Sequence, residues 1–110
     1  VRPAAALAAL CLALAPAGPV AAGEAERAAL TELYAYVRLA TYCHRRPSRP
    51  FADAVDARIR ALEAASGLDD AARTRAMLLA TPRGGRLLRP ADCAALAGVE
   101  RAARARVDAP

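Results

Sequence analysis

The sequence has no Lys, Asn, Gln or Trp, and only one His, one Phe, one Met and one Ile. With a single Ile, few Val and no alternating apolar–polar run, β-strands are excluded as an organising element. The longest apolar stretch is about a dozen residues, whereas a membrane-spanning helix needs roughly 20. No C-x-x-C pair occurs, which excludes the usual thioredoxin-type redox motif and the haem-attachment pattern. No G-x-x-x-x-G-K-[ST] phosphate loop is present. The hydroxyl residues Thr31, Thr41, Ser48, Ser66, Thr74 and Thr81 lie in no nucleophile motif. With no convergent acid–base or nucleophile set, the chain is not expected to be an enzyme. There is no internal repeat.

What is abundant is alanine, with 33 residues, and arginine, which supplies all 16 basic residues. An arginine excess suits nucleic acid or anionic partners. Here 11 acidic residues are interspersed with the arginines, which fits codon usage in a GC-rich genome better than a nucleic-acid surface. The net charge of +5 still favours anionic surfaces.

The amino-terminal region has the layout of a secretory signal peptide. Arg2 precedes the uncharged run Ala4 to Ala15, Pro16 and Pro19 break it, and the small residues Val20, Ala21 and Ala22 follow. Residues 1–22 are therefore expected to be removed near Ala22–Gly23. That leaves no membrane span and one helical domain over residues 23–110. The expected location is the periplasm or the exterior. At about 88 residues such a domain buries only about 60–65% of its unfolded surface, so its stability is marginal.

Four helices are expected. The first covers Glu24 to Cys43, with Leu30, Leu33, Tyr34, Val37, Ala40 and Thr41 as its apolar stripe. Pro50 suits a first helical position, and Phe51, Val55, Ile59 and Leu62 form the stripe of a second helix that Gly67 ends. Asp69 caps a third helix to about Ala80, with Ala71, Thr74, Met77, Leu78 and Thr81 inward. The segment 81–86 is a loop. Although Arg83, Gly84, Gly85 and Arg86 could cradle a phosphate, a solvated turn is the better assignment. Pro90 opens the fourth helix, with Cys93, Leu96, Val99, Ala103 and Val107 inward and Gly98 as its weak point.

Export places the cysteines in an oxidising compartment. Cys11 leaves with the leader, so Cys43 and Cys93 remain as an even pair. A Cys43–Cys93 disulfide would close a loop of about 50 residues and contribute roughly 4 kcal/mol on the chain-entropy model. A zinc site from Cys43, His44, Cys93 and a carboxylate is disfavoured, because adjacent helical residues point about 100° apart. No metal or cofactor is expected, and His44 reads as a helix-end residue.

The segment Asp92-Cys93-Ala94-Ala95-Leu96-Ala97-Gly98-Val99-Glu100-Arg101-Ala102 resembles the helix–turn–helix of lactose-repressor-type DNA-binding domains. The resemblance implies a turn at Gly98, a core role for Leu96 and Val99, and DNA contacts from Arg101, Arg104 and Arg106. It departs from that pattern at Glu100, which would face phosphates. Tyr42 and Phe51, if they lined one groove, could instead dock a partner helix or peptide.

The expectation is an all-α protein: a small up-and-down bundle of about four helices with one disulfide, preceded by a cleavable signal peptide. In layout it resembles small periplasmic single-disulfide helical proteins, among them acid-stress chaperones and toxin-immunity proteins. The expected role is non-enzymatic contact with another protein. A nucleic-acid-binding helix–turn–helix over residues 92–107 is the alternative.

Overall fold

The computed structural model describes residues 17–85 and 87–109, with side chains from residue 23 onward. The expected leader thus falls mainly outside the described residues. Four α-helices follow in order: α1 (Ala17–Tyr42), α2 (Arg49–Ser66), α3 (Asp70–Leu79) and α4 (Leu96–Asp108). A 3-10 turn, Pro90–Ala95, leads into α4. The all-α arrangement of four helices with one disulfide is the one expected from the sequence.

Helix α1 starts seven residues earlier than the charge pattern indicates, and the expected boundary at Ala22–Gly23 falls inside it. Pro19 is tolerated because it sits in the first turn, where a missing N–H forfeits no helical bond. The other end closes by main-chain capping. His44 N–H bonds to the Thr41 carbonyl at 3.2 Å and Arg45 N–H to the Ala40 carbonyl at 2.9 Å. This is the Schellman arrangement, and His44 takes its left-handed position with φ 54°. That position favours glycine, so His44 holds it at a conformational cost.

Helix α2 has the ends its sequence indicates. The Ser48 hydroxyl accepts from Phe51 N–H, Pro50 lies in the first turn, and Gly67 closes the helix with φ 68°. Helix α3 begins where Asp69 caps it: its carboxylate accepts from Ala72 N–H at 2.7 Å.

The core forms where α2, α3 and α4 pack against the long α1. Leu30, Leu33, Tyr34, Tyr36 and Leu39 of α1 are buried, with Phe51, Val55 and Leu62 of α2. Between them stand the buried alanines Ala29, Ala40, Ala80 and Ala103, whose small side chains let backbones approach closely. The stripe on α1 is wider than expected on one side and uncovered on the other. Tyr36 is a core residue because Phe51 of α2 and Glu100 of α4 lie against it, and Leu39 is fully buried, whereas Val37 and Thr41 are exposed.

Two further expectations are corrected. On α3, Met77 and Leu78 are about two-fifths exposed, and Ala71 and Thr74 are also exposed. The helix packs through Ala76 and the following Ala80 instead. The Arg38 guanidinium fixes this rotation by donating to the terminal carbonyls of Met77 (3.2 Å) and Leu78 (2.7 Å). The segment from Pro90 is not one α-helix: Cys93 lies in the 3-10 turn, and Gly98 stands in the first turn of α4 rather than its interior.

Candidate functional site

Cys43 and Cys93 form the disulfide, with Cα atoms 5.8 Å apart and a sequence separation of 50. It ties the end of α1 to the turn before α4. A second tie lies close by. Asp92, the one buried charged residue described, accepts from Arg83 Nε at 2.9 Å, from Arg83 Nη2 at 3.0 Å and from Arg89 N–H at 2.8 Å. The Arg83 fork, then the Arg89 amide, hold its carboxyl down to about 2. Arg83 also donates to the Leu87 carbonyl. The Arg83 guanidinium of the Arg-Gly-Gly loop is therefore engaged by the Asp92 carboxylate; Arg86 lies outside the described residues.

The arginines suggested by the helix–turn–helix resemblance are placed as follows. Arg106 donates to Glu32 of α1 at 2.6 Å, and its carbonyl accepts from Arg58 of α2 at 3.2 Å. Arg104 stacks over the Phe51 ring at 4.0 Å and lies 3.8 Å from Glu100. Arg101 is exposed. The turn expected at Gly98 does not form, because α4 runs through it without a left-handed residue. The two-helix geometry needed for the DNA-binding alternative is thus missing over residues 92–107, and two of its three arginines hold α4 to the core.

The tyrosines also separate. Tyr34 is buried and donates to Glu63 Oε2 at 2.6 Å; burial first, then this carboxylate, raises its hydroxyl above the usual range. Tyr36 is buried edge-on against Phe51, ring centres 5.5 Å apart, with its hydroxyl 3.5 Å from Glu100. Burial, followed by the Glu100 charge, raises its hydroxyl too. Since Phe51 is core and Tyr42 points outward, these two do not line a common groove.

A groove exists elsewhere. A cleft of 880 Å³ opens between α1 and α2, on a side of the pair to which α4 contributes no residue. Val37 and Thr41 of α1 face Ala52, Val55 and Ile59 of α2, and Met77 of α3 closes one end. His44, Arg45, Arg46 and Pro47 close the other. Most charges along the walls are already matched: Arg60 pairs with Asp56, and Glu63 lies between Tyr34 and Arg73. Arg45 and Arg46 are exposed and make no side-chain hydrogen bond or ion pair among the described residues. They also border a smaller hollow of 340 Å³ beside Cys93.

Apolar walls with a few polar groups at the ends are the usual make-up of a binding cleft. The sequence signal for this one was the breadth of the α1 stripe, in which Val37 and Thr41 continue the apolar surface past what α2 covers. Among the described residues there is no group of three or more His, Cys, Asp or Glu that could hold a metal ion. Nor is any helix among them long and apolar enough to cross a membrane. No family model, curated protein or solved structure matches this chain.

Proposed function

We propose that this is an exported protein, stapled by Cys43–Cys93 in an oxidising compartment, that acts without catalysis by holding a segment of another protein. The observation that carries this reading is the apolar cleft between α1 and α2. Val37 and Met77, about two-fifths exposed, flank it. Large apolar side chains gathered at an open cleft are a costly surface to leave in water and a favourable one to cover. The long-range disulfide supports export, because such bridges persist where thiols are not kept reduced. The order of charged, apolar and small residues in 1–22 supports it as well.

Site-specific photo-crosslinking in the native cell tests this. A photoreactive residue at Val37 is expected to trap a discrete protein from the periplasmic or secreted fraction. The same residue at Arg27, exposed and outside the cleft, is expected to trap none. Equal labelling from both positions, or protein found only in the cytosol with free thiols, would contradict the proposal.

A further inference from the structure

Given that the cleft receives a protein segment, as proposed above, we infer that the segment is a short amphipathic helix whose C-terminal turn carries carboxylates, seated against Arg45 and Arg46. The shape of the slot limits the occupant first. Its α2 wall runs from Ala52 to Glu63, about 16 Å at helical rise, and faces α1 from Tyr34 to Thr41 and the turn at His44. That is the length of roughly ten helical residues. Both walls are helices whose backbone groups are bonded internally. An extended peptide laid between them would bury its own N–H and C=O groups without partners, whereas a helix satisfies its own. Residues at i, i+3 or i+4 and i+7 then face Val37, Ile59 and Met77.

Charge orients it. At the α3 end the charges are matched, since Arg73 lies 3.8 Å from Glu63 and Arg38 is bonded to the α3 carbonyls. At the loop end Arg45 and Arg46 stand without an acidic partner among the described residues. They follow directly on His44, whose left-handed turn ends α1 at the mouth of the cleft. A helix with its C-terminus there presents both its dipole and its acidic side chains to the two guanidinium groups.

The test uses oxidised protein and two synthetic 12-residue helical peptides with one leucine face, differing only in a Glu pair or a Lys pair in the last turn. Fluorescence anisotropy should show the Glu peptide binding about tenfold more tightly, two exposed ion pairs giving up to about fivefold each. The double variant R45E/R46E should reverse that order while keeping the helical circular dichroism and melting temperature of the parent. Equal affinity for the two peptides, or no reversal in a folded double variant, overturns the inference. So does saturable binding of sodium dodecanoate in place of both peptides, which assigns the cleft to a lipid. If neither peptide binds while Val37 still crosslinks to a protein, this partner chemistry fails and the binding proposal stands. Loss of the crosslink as well removes both.

Discussion

Asp92 shows how much one side chain holds when it is the one buried charged residue described. Its carboxylate is buried and takes three N–H groups, two from Arg83 and one from the Arg89 backbone. Those partners favour the charged form and lower its pKa to about 2. A carboxyl held below its unfolded value stabilises the fold above the unfolded pKa, near 4. That contribution is lost as pH falls from about 4 through about 2. Asp92→Asn is therefore expected to lower the melting temperature by several degrees at neutral pH. The gap from the parent should close as both are titrated to pH 2. A gap that stays constant across that range would show that the charge is not what matters. The sequence placed Asp92 near the start of a helix but gave no sign of Arg83, because the pair closes across a loop whose path no local pattern encodes.

At the scale of elements, caps and stops were legible and rotations were not. Pro50, Gly67 and Asp69 act locally, so their roles could be read from their neighbours in sequence. The rotation of α3 could not, because Arg38, some 40 residues away, sets it through the Met77 and Leu78 carbonyls. Apolar periodicity alone turned Met77 and Leu78 inward, but contact through Ala76 and Ala80 brings α3 closer to α1. The same preference for small residues fixes α4. Ala103 is fully buried where α4 meets the core. Ala103→Leu adds three carbons to that contact and is expected to cost about 1–3 kcal/mol by overpacking. Urea denaturation measures this. An unchanged midpoint would mean that α4 can lift off freely, against the Arg106–Glu32 and Arg104–Phe51 contacts that hold it.

For the whole molecule the limiting quantity is core size. Among the described residues eight large apolar side chains are buried, including Tyr34, Leu30, Leu33 and Leu39, fewer than four helical stripes suggested. Part of the shortfall is the cleft, whose walls stay open. Which apolar positions a neighbour covers is decided by packing, so the sequence could supply Val37 and Ile59 without revealing the space between them. The pairing of Cys43 with Cys93 was legible on the expectation that Cys11 leaves with the leader, since the two cysteines that then remain have one intramolecular pairing. A small core makes that bridge a large share of the stability: closing its 50-residue separation is worth about 4 kcal/mol, against a typical total of 5–15.

The most direct measurement is therefore made on the unreduced protein recovered from exporting cells. Its intact mass is expected to be two hydrogens below that of the reduced chain, and reduction is expected to lower its unfolding free energy in urea by about 4 kcal/mol. Two free thiols in that material, or superimposable urea curves before and after reduction, would contradict a bundle that depends on its staple.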